Sequence, residues 1–167
     1  MMIIKKIAGL ISELAAKIGM LSIGVLLFMT VGDVLGRFLF NHPIPGTFEV
    51  TKILFALSVF FSMPVSQYNG ENLGITLLYD RFPLRIKGVL DFIGSTVSIA
   101  TFSVAFFQTL KYASRMQRSN TVTSVLRMPM YPWIYLASVG LVMLVLVLVW
   151  DLAQSIKELK GEKLDES

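Results

Sequence analysis

Four charged side chains, Asp33, Arg37, Glu49 and Lys52, fall inside the largely apolar stretch from Thr30 to Phe55. Two are acidic and two basic, so the set is neutral. An ionised group at mid-bilayer costs about 2.5–3.5 kcal/mol on insertion scales, and such groups generally face protein and pair with one another. Asp33 and Arg37 stand one helical turn apart, as do Glu49 and Lys52, at the spacings where helical side chains meet. Two chemistries follow. The groups could form ion pairs that staple a hairpin, or Asp33 and Glu49 could titrate as a proton relay in a self-contained carrier or channel. The basic neighbour beside each carboxylate favours the staple.

Other chemistry is absent from the sequence. It has no Gly-rich phosphate loop, no G-x-S-x-G elbow and no H-E-x-x-H zinc motif. The single histidine, His42, sits in a turn without clustered carboxylate partners, and there is no cysteine for thiol or disulfide chemistry. No catalytic residue, metal site or cofactor is expected, and the chain does not read as an enzyme. A haem-binding membrane subunit would need a helical histidine pair that is missing here.

The elements that hold these residues are membrane helices. Of 167 residues 54% are apolar, and the mean hydropathy is +0.70. A hydrocarbon core about 30 Å thick takes roughly 20 apolar residues per helix. Spans are predicted over 18–40, 47–68, 89–112 and 131–151, giving an all-α integral membrane protein with four transmembrane helices in one domain. Residues 1–17 repeat apolar positions at helical spacing, with Lys5, Lys6 and Glu13 mostly elsewhere around the helix. They read either as an interfacial amphipathic helix or as an extension of the first span. The run from Ile18 is too long for a signal peptide, so it is expected to be retained. Residues 152–167 form a charged tail.

Asn41 to Gly46 separates the first two spans, because Pro43 and Pro45 lack backbone donors and break a helix. Thr47 is placed to cap the second span, Glu49 suits its positive end, and Pro64 is expected to kink it. A short amphipathic surface piece is predicted within Gln67–Lys87, from Leu73, Leu77, Leu78 and Phe82. Two sets of small residues could admit another backbone: Gly32 with Gly36, and Gly94, Ser98, Thr101 and Ala105 on the third span. Ala113–Met130 reads as a polar connection holding Arg115, Arg118 and Arg127. Tyr131, Trp133 and Tyr135 mark one interface with the lipid bilayer, and Trp150 the other. The net charge of +4 fits Lys and Arg at the lipid surface better than nucleic-acid binding. Their distribution places both termini in the cytoplasm.

The run from Asp33-Val34-Leu35-Gly36-Arg37-Phe38 to Pro43-Ile44-Pro45-Gly46-Thr47-Phe48-Glu49 resembles the first hairpin of the small membrane subunit of TRAP (tripartite ATP-independent periplasmic) transporters, the DctQ-like family. Thr123 to Trp133, TSVLRMPMYPW, is similar to the lead-in to that family's fourth span. The chain departs at Asn69-Gly70-Glu71-Asn72, where the family often has a more polar, His-containing stretch. The resemblance implies an accessory subunit in the bacterial inner membrane. Its partners would be a large membrane transport subunit, driven by sodium symport, and a periplasmic substrate-binding protein. The cargo would be an organic anion such as sialic acid or a C4-dicarboxylate. In that reading the small subunit is a scaffold, and His42, Arg115, Arg118 and Arg127 are candidates for docking the binding protein.

Overall fold

The computed structural model describes residues 2–69 and 84–159. Four helices occupy them: α1 (Met2–Phe40), α2 (Thr47–Tyr68), α3 (Leu84–Arg118) and α4 (Tyr131–Leu159). Each is long and apolar enough to cross a membrane. The predicted amphipathic piece at Leu73–Phe82 and most of the charged tail lie outside the described residues.

The helices exceed the predicted spans, because hydropathy marks only the part that lipid must cover. Helix α1 is continuous for 39 residues and passes the expected boundary at Lys17 without a break. At 1.5 Å per residue that is about 58 Å, roughly twice the hydrocarbon thickness. Helix α3 continues through Ala113 to Arg118, so Arg115 and Arg118 stand on its last turns and the polar connection shortens to 119–130. Asn120, with φ 46°, ends α3 in a left-handed cap, and the Thr121 and Asn120 amides donate to the Met116 and Gln117 carbonyls. Helix α2 runs on through the buried Pro64 to Tyr68.

Helices α2 and α4 form the centre, with α1 packed chiefly on α2 and α3 on α4. The core cluster is Ala15, Leu57, Phe61 and Ala137, with Ile53, Phe60, Trp133 and Met143 against it. Helix α1 buries its own row of small residues, Ala8, Ser12, Ala15, Gly19 and Ser22, spaced four and three apart. That spacing makes one face of a helix, and small side chains there let two backbones close up. Gly140 does the same for α4. A Cβ there would lie 2.8 Å from the Phe60 carbonyl oxygen of α2.

The two sets of small residues singled out in the sequence behave otherwise. A Cβ on Gly36 would meet the His42 carbonyl oxygen at 3.1 Å, and one on Gly32 only the tip of Ile44 at 3.9 Å. They seat the chain's own turn, and the described residues bring no other helix to them. Gly94 has nothing within 4 Å of a built Cβ, and Thr101 is exposed.

Candidate functional site at the loop end of the bundle

The α1–α2 turn and the α3–α4 connection share one end of the bundle, and the acidic residues of the first hairpin fasten both. Asp33 is buried on the face of α1 that meets the turn. Its Oδ1 accepts the Ile44 amide at 2.8 Å and the Thr47 hydroxyl at 3.4 Å, while Oδ2 takes the Arg37 guanidinium at 2.7 Å. The turn needs this help. Asn41 sits at φ 50° and Gly46 at φ 80°, two prolines remove donors between them, and the Ile44 amide would otherwise go unmet. The cap of α2 is Gly46, not Thr47. Gly46 makes no side-chain cap bond, and the Thr47 hydroxyl turns back to the Ile44 carbonyl at 3.0 Å.

Glu49 does not meet Lys52. Its Oε1 accepts the Val125 amide at 2.7 Å and its Oε2 the Leu126 amide at 3.0 Å. One carboxylate thus closes the first hairpin on the second connection. The pairing is chemically favourable because consecutive N–H groups of a turn make a concave donor site for an anion. Lys52 instead lies 4.7 Å from the centre of the Phe48 ring, a cation–π contact. The i, i+3 spacing permits a Glu49–Lys52 pair, and the tertiary fold supplies the stronger acceptor geometry elsewhere. Gly46 completes the latch: a Cβ there would collide with the Leu126 side chain.

The 119–130 connection is itself a small antiparallel hairpin. Val122 bridges Pro129, the Thr123 amide donates to the Met128 carbonyl at 2.9 Å, and the Met128 amide donates to Thr123 Oγ1 at 3.1 Å. Arg127 stands at its tip with φ 52°. His42, Arg115, Arg118 and Arg127 are all exposed at this end of the molecule. Removing the Glu49 carboxylate is expected to free the tip. Limited trypsin digestion of Glu49→Ala should then cut after Arg127 several-fold faster than in the parent chain, and equal rates would show that the latch does not hold the loop.

The opposite end has a polar junction that sequence reasoning missed. Asp151 of α4, half-buried, accepts the Gln67 amide of α2 at 3.0 Å and the Ser95 hydroxyl of α3 at 3.2 Å. Three helices thus meet on one carboxylate. The available signal was an acidic residue directly after the run Leu141–Trp150. Asp151→Ala is expected to loosen α3, the least enclosed helix, and to raise amide hydrogen exchange around Ser95 before the rest of the bundle.

Among the described residues no three His, Cys, Asp or Glu side chains gather as metal ligands. An open groove of about 560 Å³ between α1 and α2 is lined by Ile23, Leu26, Phe55, Val59 and Met63, and the Ser58 and Ser62 hydroxyls in its wall donate to backbone carbonyls.

Residues 26–158, most of the chain and all of the loop end, match the family model "Tripartite ATP-independent periplasmic transporters, DctQ component". The chain belongs to the DctQ family. A similar protein is the "Ectoine TRAP transporter small permease protein TeaB" of Halomonas elongata, 33% identical over 107 residues, which are 63% of this chain and 53% of that protein. The chain thus spans about half the length of the curated relative it matches. As a DctQ protein it is the small permease component of a TRAP transporter, a multi-pass membrane protein and not an enzyme.

Proposed function

We propose that this small permease subunit is a non-transporting scaffold for a large membrane transport subunit, and that its loop end helps dock a periplasmic substrate-binding protein. The observation that supports this most is the use of its carboxylates. Asp33 and Glu49, the two candidates for a proton relay, both accept backbone amides and hold loops. A group committed to two or more hydrogen bonds in a fixed geometry serves position better than passage. Exposed Arg115, Arg118 and Arg127 beside the latched loops supply a cationic surface for an acidic face of the binding protein, with His42 exposed at the same end as a further polar contact.

In this reading the loops at 41–46 and 119–130 face the periplasm, both termini lie in the cytoplasm of a bacterium, and sodium symport through the large subunit drives uptake. The cargo is an organic anion such as sialic acid or a C4-dicarboxylate. The similar protein named above carries ectoine in its name, so the choice of solute is assigned to the partner subunits.

Reconstitution tests the function. Sodium-driven uptake is expected only when the large subunit and binding protein are both present, and flux through this chain alone would overturn the reading. Orientation has its own test, because the parent chain has no cysteine. Ser124→Cys in intact cells is expected to react with a membrane-impermeant maleimide, and protection of that thiol until lysis would reverse the topology.

A further inference from the structure

Glu49 commits its carboxylate to the Val125 and Leu126 amides, and Lys52 is left without the partner that its spacing suggested. Lys52 is exposed, and its ammonium lies over the Phe48 ring at 4.7 Å. Among the described residues no carboxylate comes within ion-pair distance of it. Its level in the membrane follows from its neighbours. Helices α2 and α4 run side by side in the same direction, since Gly140 meets Phe60 and Asp151 meets Gln67. Ile53 and Trp133 pack against the same core cluster. Lys52 therefore stands level with Tyr131, Trp133 and Tyr135, side chains of the kind that gather at the membrane–water boundary.

The same residue heads the groove between α1 and α2. Lys52, Phe55, Val59, Ser62 and Ser66 recur at alternating steps of three and four, which makes them one stripe down α2. The last four line the open groove of about 560 Å³, opposite Ile23 and Leu26 of α1. Its wall is mostly apolar. The Ser58 and Ser62 hydroxyls in it donate to carbonyls one turn back, so they ask nothing of an occupant. At 1.5 Å per residue the groove runs about 16 Å from Phe55 to Ser66, close to half of a hydrocarbon core about 30 Å thick. It is one leaflet deep, with a cation at its mouth.

We propose that this groove is a phospholipid site, in which one acyl chain lies between α1 and α2 and the lipid phosphate sits on the Lys52 ammonium. The two halves of the site call for one molecule. Inorganic phosphate would leave the groove empty, and an uncharged diacylglycerol would leave the ammonium without an anion. A partner helix would need a carboxylate at that single level, whereas every phospholipid carries its phosphate at the boundary. Charge attraction between a lysine there and an anionic lipid adds to the apolar burial of the chain. In the orientation proposed above, the lipid belongs to the outer leaflet.

The test uses the full chain, purified in detergent and stripped of lipid, with phosphatidylglycerol as the probe and native mass spectrometry as the readout. The chain is expected to retain a single phosphatidylglycerol. Lys52→Gln is expected to bind it about fivefold more weakly, the worth of one lysine at an anionic lipid surface, and Lys52→Arg to bind it as the parent chain does. Diacylglycerol is expected to bind the parent chain and Lys52→Gln equally. Val59→Trp, which fills the groove, is expected to abolish retention, whereas Val97→Trp, at a position 59% exposed on α3, leaves it intact. Should Val59→Trp fail to fold, the Lys52 variants decide. Equal phosphatidylglycerol binding by the parent chain and Lys52→Gln, or equal retention by the two tryptophan variants, would overturn the proposal and mark the lipid as a loose annulus. The occupant in membranes is read from Ser62→benzoylphenylalanine in the assembled transporter. Irradiation is expected to give a lipid adduct. An adduct to another protein chain, to a second copy, or none at all would overturn the site.

Discussion

Gly140→Leu is expected to yield a chain that inserts into the membrane but no longer holds α2 against α4. The clash is with backbone. A Cβ at 140 would stand 2.8 Å from the Phe60 carbonyl oxygen and 3.0 Å from its carbon, and neither atom can rotate aside. The helices must separate. Overpacking of this kind costs about 1–3 kcal/mol and sometimes more. The helical preference for leucine over glycine returns less than about 1 kcal/mol, so the steric term wins. The separation also opens the packing around Phe61, which is fully buried beside Ala137. Thermal unfolding in detergent is the measurement, with a fall in Tm of about 5 °C or more expected for a domain of this size. Gly94→Leu is the matched comparison. Nothing lies within 4 Å of its Cβ, so the isolated chain is expected to change by no more than about 0.5 kcal/mol, or to gain slightly from propensity. Equal losses at the two glycines would refute the packing described for α2 and α4.

Asp33→Ala is the second substitution expected to have a large effect. It removes the acceptor for the Ile44 amide, the Thr47 hydroxyl and the Arg37 guanidinium together. The amide is the part that matters most, because the turn between two prolines offers no other protein partner for it and a part-buried donor left unmet keeps part of its desolvation cost. Arg37 contributes less. Its side chain is 64% exposed, and exposed ion pairs are worth little. The order of effect is therefore Asp33→Ala largest, Asp33→Asn intermediate and Arg37→Ala smallest. A drop in Tm of about 5 °C is expected for the first. The same series separates staple from relay. A staple gives a loss of assembly that follows Tm, whereas a relay would give a loss of pH-dependent uptake in Asp33→Asn at unchanged stability.

Much of this molecule was legible in one dimension. The run Leu141–Val149 is apolar on every side, which only a membrane helix or a deep core helix tolerates. Pro43, Pro45 and Gly46 mark the first turn, and α2 begins at Thr47 as expected. The Asp33–Arg37 pair was readable too, since i, i+4 is a property of any helix. What misled was the same rule applied to Glu49 and Lys52. Local spacing says which side chains can meet, and it has no knowledge of two amides arriving from 76 and 77 residues away. Small residues say less for a related reason. Gly94, Ser98, Thr101 and Ala105 form a regular stripe, yet the stripe buried within the chain is Ala8 to Ser22 on α1, and the closest glycine approach of one helix to another helix's backbone belongs to the single Gly140.

Sequence alone determined that the chain carries four stretches long and apolar enough to cross a membrane, where the first hairpin turns, and that the four charges of Asp33, Arg37, Glu49 and Lys52 sum to zero. Those outcomes depend on hydropathy and on neighbours within one helical turn, which the order of residues specifies directly. Tertiary structure decided that Glu49 latches the second loop and that Asp151 gathers three helices. Each of these depends on which helices lie side by side, because a hydrogen bond is made or withheld over a few tenths of an ångström between residues far apart along the chain.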